Sequence, residues 1–125
     1  MQSSRSNQDR TEKTRAALIA AARTLFVAKG YAETATPEIV TAAGITRGAL
    51  YHHFRDKRDL FRAVAEAEAE AVASDIEAAA APEDGPPLDA LLAGSRAYLD
   101  AMAVPGRTRL LLIEAPSVLG EAEHG

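Results

Sequence analysis

The 125-residue chain has no cysteine and no tryptophan, and only three tyrosines and three phenylalanines. Without cysteine there is no disulfide, no cysteine-ligated zinc, no thiol redox sensing and no cysteine nucleophile. Long apolar runs are missing too. No stretch approaches the ~20 residues needed to span a bilayer, and the polar N-terminus lacks the apolar segment of a secretory signal. These absences lead to the expectation of a soluble cytoplasmic protein with no membrane partner. Scarce aromatics beside abundant alanine favour helix over sheet. Catalytic signatures are absent as well: there is no metal-ligand cluster, no glycine-rich phosphate loop and no nucleophile–base pair. Neither an enzyme nor a cofactor or metal is expected.

The net charge of −4 by itself argues against nucleic acid, but the charge is divided unevenly. Residues 1–62 hold eleven Lys/Arg against six Asp/Glu, a balance of +5, whereas residues 63–125 hold three against twelve, a balance of −9. A basic first half suits a polyanion; an acidic second half turns away from it. Two solvated helical surfaces of unequal charge remain an alternative at this point.

Residues 1–10 are polar and rich in Ser, Gln and Asn, and read as a disordered arm carrying Arg5 and Arg10. From Arg10 to Lys29 the spacing of Leu18, Ala22 and Leu25, widened by Phe26, predicts a helix that stops at Gly30. Thr36 before Pro37 reads as an N-cap and first helical residue. A short apolar face follows at Ile39, Val40 and Ala43, and Gly44 ends it. Thr46 reads as the next N-cap, opening a third short helix over 47–54. Asp56, with Asp59 three residues on, opens a fourth helix running to about Ala80. Its expected inner face is Leu60, Val64, Ala67 and Ala71, broadened by Phe61, Val72 and Ile76. Residues 82–87 (PEDGPP) read as a loop. A fifth helix has Leu88, Leu91, Leu92, Ser95, Leu99 and Met102 on one side and ends at Pro105–Gly106. An apolar helix over 107–115 follows, and Pro116 starts or kinks the next turn.

Two helices as short as 37–43 and 47–54 do not persist alone. They make sense as a helix-turn-helix, residues 35–54, braced by the long first helix. Gly44 supplies the turn, and Ile39, Ala43, Ile45, Leu50 and Phe54 hold the helices at a fixed angle. Successive helical residues rotate by ~100°. With Leu50 pointing inward, Thr46, His53 and Phe54 fall on the core side, Gly48 and His52 point away, and Ala49 and Tyr51 flank them. Arg47 sits at the edge. Small residues at Gly48 and Ala49 let such a helix settle into a major groove while Tyr51 and His52 reach phosphates or base edges. The bland readings are that Gly48 is merely a poor helix residue and that Tyr51 packs sideways. His52 and His53 make a poor metal site, because adjacent helical positions diverge and no cysteine stands with them.

The stretch GYAETATPEIVTAAGITRGALYHHFRDKRDLF, residues 30–61, resembles the DNA-binding signature of the TetR family of transcriptional regulators. The elements that carry the likeness are Gly30-Tyr31, Thr34, Ile39, Ala43-Gly44-Ile45, Gly48, Leu50-Tyr51, Phe54, Lys57 and Leu60. Val40 and Pro37 depart from the usual pattern in the supporting helix. The resemblance covers about residues 11–71. It implies an all-α fold: an N-terminal three-helix DNA-binding domain with a helix-turn-helix, linked by a long fourth helix to an incomplete helical ligand-binding and dimerisation domain over 72–125.

Roles follow from the same resemblance. Thr36 and Thr46 match phosphate-contacting positions; Arg47, Gly48, Ala49, Tyr51 and His52 match groove-facing positions; Lys57 matches a lysine that clamps the DNA backbone. The implied partners are a double-stranded, palindromic DNA operator, an unknown small-molecule effector and a second copy of the chain, with the helices that build the family's dimer missing here. Leu91, Tyr98, Met102 and Leu112 are candidate pocket residues, although ordinary core packing is the stronger reading of them. The expected function is a sequence-specific transcriptional regulator, a ligand-responsive repressor associated with the nucleoid. The rival expectation is a truncated helical interaction module that heterodimerises with a full-length regulator.

Overall fold

The computed structural model describes the backbone of residues 2–79 and 87–124, with side chains described over 7–79 and 87–120. Among the described residues the regular structure is helical throughout. α1 runs Gln2–Lys29, α2 Thr36–Ala43, α3 Arg47–His53, α4 Lys57–Ala78, α5 Pro87–Met102 and α6 Ala115–His124, with a π-helical turn Arg109–Glu114 leading into α6.

The expected arm over 1–10 is corrected, because α1 starts at Gln2. No proline or glycine interrupts the chain before Gly30, so the amphipathic part of α1 continues backward as helix, exposed over residues 7–13. Leu18, Ala22 and Phe26, four residues apart, are fully buried, while Leu25 lies at the edge of the core. Ile39 from α2, Leu50 and Phe54 from the α3 end, and Leu60, Phe61 and Val64 from α4 complete one hydrophobic core. Burying each large apolar side chain contributes roughly 1.5–3 kcal/mol. Phe26, Tyr31 and Phe61 meet as an aromatic trio with ring centroids 5.3–5.6 Å apart.

The inner face of α4 is rotated from the expected one. Leu60, Phe61, Ala63, Val64, Ala65 and Glu68 are buried, whereas Ala67 is exposed and Ala71 is only half-buried. Glu68 takes the place in the stripe that the sequence pattern gives to alanine. Its carboxylate meets two guanidiniums: Arg23 Nε of α1 donates to Oε1 at 2.6 Å and Arg107 Nε donates to Oε2 at 2.7 Å. Arg107 also donates to Ala101 O at 2.7 Å and to Asp75 Oδ2 at 3.1 Å. One buried acid thus ties α1, α4 and the end of α5 together.

α5 differs from expectation in the same way. It turns Ala97 and Ala101 inward and leaves Leu88, Leu91, Leu92, Tyr98 and Leu99 exposed. Small residues allow α5 to lie close along α4, which the leucine face does not. After α5 the chain turns at Gly106, with φ +79°, and an added Cβ there would overlap the Val27 side chain of α1. The loop expected over 82–87 lies outside the described residues except for Pro87, which opens α5. Pro116 accounts for the π-helical turn. In a regular α-helix its ring clashes with the carbonyl four residues back; here the ladder widens, and Ala115 N–H donates to Leu110 O, five residues back.

Candidate nucleic-acid interface

The α2–α3 unit is built from local capping. α2 starts one residue earlier than the Thr36 N-cap predicts: Ala35 is the cap, and Thr36 is the first helical residue. The cause is Glu38, whose carboxylate accepts from Ala35 N at 3.1 Å and pairs with Lys29. Those two hydrogen bonds hold the exposed Glu38 carboxyl below the usual carboxylate range, the Lys29 contact being the larger cause. Thr36 is therefore half-buried at the start of α2 with no capping bond of its own. At the other end Gly44 adopts φ +69°. Its N–H reaches Thr41 O and Ile45 N reaches Val40 O at 3.0 Å, which closes α2 and reverses the chain.

Thr46 does cap α3, its hydroxyl accepting from Ala49 N at 3.1 Å. Leu50 is fully buried and Phe54 nearly so, and the Arg15 guanidinium lies 5.2 Å from the Phe54 ring centroid. With those anchors fixed, the opposite face is solvent-exposed: Gly48, Tyr51 and His52 are open with Arg47 at the edge, and Ala49 is half-buried beside them; Thr46, expected on the core side, is exposed as well. Tyr51 is 44% exposed, with the Arg47 guanidinium 5.8 Å from its ring centroid. Nothing lies within 4 Å of a Cβ added at Gly48, so no contact inside the protein demands a glycine there. His53 is turned toward the core; burial, with His52 and Arg15 close by, pushes its pKa down.

Lys57 is placed differently from the groove-facing residues. It is half-buried, and its Nζ donates to Tyr31 O at 2.8 Å and to Thr34 O at 3.1 Å, 4.1 Å from the Tyr31 ring centroid. Two of its three donors therefore hold the α1–α2 turn against the start of α4. Thr34 is buried in that turn and donates to Gly30 O at 2.7 Å. Glu114 reaches the same turn from the π-helical segment and accepts from Tyr31 N at 3.0 Å.

The candidate pocket residues do not converge. Leu91 and Tyr98 share a shallow groove with Ala90, Gly94, Ser95 and Leu99 along α5. Met102 is half-buried at the end of that helix, and Leu112 is exposed on the π-helical turn. No group of His, Asp or Glu among the described residues is arranged to hold a metal, and no described helix is long and apolar enough to cross a membrane.

Sequence reasoning missed the Arg23–Glu68–Arg107–Asp75 network and the Glu114 contact. One signal existed: Glu68 falls four residues after Val64 and seven after Phe61, on the buried stripe. The arginine partners lie 45 and 39 residues away and leave no local trace.

A short helix capped by threonine, set on a left-handed glycine turn and presenting an open face of small, aromatic and basic residues, defines a helix-turn-helix domain. Residues 18–64 match the family model described as bacterial regulatory proteins, tetR family. It is similar to the HTH-type transcriptional regulator AcrR of Shigella flexneri, 44% identical over 57 residues, which are 46% of this chain and 26% of that protein. It is also similar to the HTH-type transcriptional repressor BepR of Brucella suis, 42% identical over 52 residues, covering 42% and 25% of the two chains. Among solved structures it resembles a TetR-family transcriptional regulator from Pectobacterium atrosepticum, with TM-score 0.70, 39% identity, and coverage of 90% of this chain and 57% of that one. A gamma-butyrolactone receptor matches with TM-score 0.65 and 34% identity over 86% of this chain and 54% of the receptor. The likeness thus spans about a quarter of the two curated relatives and somewhat over half of the two solved chains.

Proposed function

We propose that this chain is a sequence-specific DNA-binding transcriptional regulator, acting as a ligand-responsive repressor. The observation that carries the reading is the open face of α3, where Arg47, Gly48, Ala49, Tyr51 and His52 stand away from a fully buried Leu50. Such a face enters a major groove, with Tyr51 and His52 at base edges and Thr46 and Thr36 toward phosphate. Lys57 acts in the first place by fixing the turn that carries α2, with its remaining donor left for the DNA backbone.

The effector reading is supported by the likeness to a gamma-butyrolactone receptor and by the uncovered apolar groove that holds Leu91 and Tyr98. We place Leu91 and Tyr98 on a wall of the effector site. An effector shifts the DNA-binding equilibrium only by its difference in affinity between the two states. A homodimer places two α3 helices about one DNA turn, ~34 Å, apart, which suits a palindromic operator, and nucleoid association in the cytoplasm follows from that role. The exposed leucines of α5 favour a second reading, in which the chain joins a longer regulator as a helical interaction module.

Selection from a random duplex pool tests the reading. Enrichment of one short sequence, bound with strong salt dependence, is expected. No enrichment at low salt overturns it, and co-purification with a longer regulator then favours the second reading.

A further inference from the structure

The start of α4 carries a cleft that the open face of α3 does not include. Arg55, Asp56, Arg58, Asp59 and Arg62 line it. Arg58 and Arg62 stand one turn apart, about 6 Å along the helix axis, and Arg55 lies in the loop that joins α3 to α4. Both acids are engaged with main chain: Asp56 Oδ1 accepts from Asp59 N at 2.8 Å, and Asp59 Oδ2 accepts from Arg55 N at 3.0 Å. None of the three guanidiniums forms a salt bridge among the described residues. Arg58 Nε is moreover buried with no hydrogen-bond partner. A guanidinium fork matches the paired oxygens of a carboxylate or a phosphate.

Position decides between the two. Arg55 is three residues beyond His52, so their Cα atoms are at most about 11 Å apart. The major groove is about 12 Å wide. With α3 in the groove, the cleft falls beside its wall, where the phosphates are. We infer that Arg55, Arg58 and Arg62 form a phosphodiester clamp on the DNA strand flanking the groove. This rests on α3 being the groove helix. The clamp supplies backbone contacts that Lys57, held by the carbonyls of Tyr31 and Thr34, provides only in part. Because it touches no base, it strengthens binding without altering sequence preference.

The test compares the full wild-type chain with Arg62→Gln and with Arg55→Gln/Arg58→Gln/Arg62→Gln. The probes are the duplex enriched from a random pool and an unrelated duplex of equal length. Circular dichroism reports folding, and the exposed Arg62 gives a variant that keeps the fold. Each lost phosphate contact lowers the slope of log affinity against log salt by about 0.9. Between 50 and 200 mM salt the triple variant is expected to lose about 40-fold less affinity than wild type, with unchanged base preference. An unchanged slope and affinity in both folded variants, with wild type still selecting its sequence, overturns the clamp alone. Failure of wild type to bind any duplex overturns both the clamp and the DNA-binding reading. A change in base preference without a change in slope also overturns the clamp.

Discussion

Arg107 Nε donates to Glu68 Oε2 at 2.7 Å in a site where both side chains are nearly excluded from solvent, 7% and 5% exposed. Arg23 takes the other oxygen of Glu68 from the helix-turn-helix side. The pair is thus a mechanical joint between the α1 brace and the segment after α5. Removing one partner leaves an uncompensated buried charge, which costs about 3–5 kcal/mol. Glu68→Ala is expected to destabilise the chain by that order in urea unfolding. Replacing Glu68 and Arg107 together by apolar residues is expected to cost less than the sum of the single changes.

Acid should act through the same residue. The hydrogen bond from Arg23, aided by Arg107 and opposed by burial, holds the Glu68 carboxyl below its ordinary range. A carboxyl depressed in the folded state contributes stability that is fully present above its unfolded pKa. That stability is lost as pH falls through the lower, folded value. Urea midpoints are therefore expected to fall with acidification below the usual carboxylate range, and less steeply for Glu68→Gln.

Gly44 tests the turn on backbone grounds alone. Its φ is +69°, and an added Cβ meets nothing within 4 Å. Gly44→Ala is therefore expected to cost about 1 kcal/mol through the left-handed conformation, with no packing penalty. Gly44→Asn, which tolerates that conformation better, should recover part of the loss in the same denaturation experiment.

Lys57→Met separates a structural role from a DNA contact. It leaves Tyr31 O and Thr34 O without the Nζ donor, and a charge-assisted hydrogen bond contributes about 1.5–3 kcal/mol. A drop in stability of that order without DNA is expected. Undiminished stability together with weaker DNA binding would assign Lys57 to phosphate alone.

The parts of the fold legible in the sequence are those fixed by local chemistry. Thr46 and Asp56 as caps, Gly44 as a turn, and the inward Leu50 with outward Gly48 and His52 all depend on residues within one or two turns. The start of α2 was misplaced by one residue because Glu38, reaching back to Ala35, outweighs the proline-adjacent threonine. The orientation of α5 was not legible, since leucines at helical spacing signal a buried face unless the partner helix demands alanines, as α4 does at Ala97 and Ala101. The buried ion network joins residues tens of positions apart and has no periodic signature. The candidate interface was readable because it is one helix; the candidate effector wall was not, because its residues lie on different surfaces.

The groove-reading role of α3 is tested most directly by amide chemical-shift mapping of the folded chain as its selected duplex is added. Changes concentrated on Thr46–His52, with Tyr51→Ala and His52→Ala altering base preference at little cost in stability, are the expected result. Changes concentrated on α5 around Leu91 and Leu99, with α3 unaffected, would contradict it.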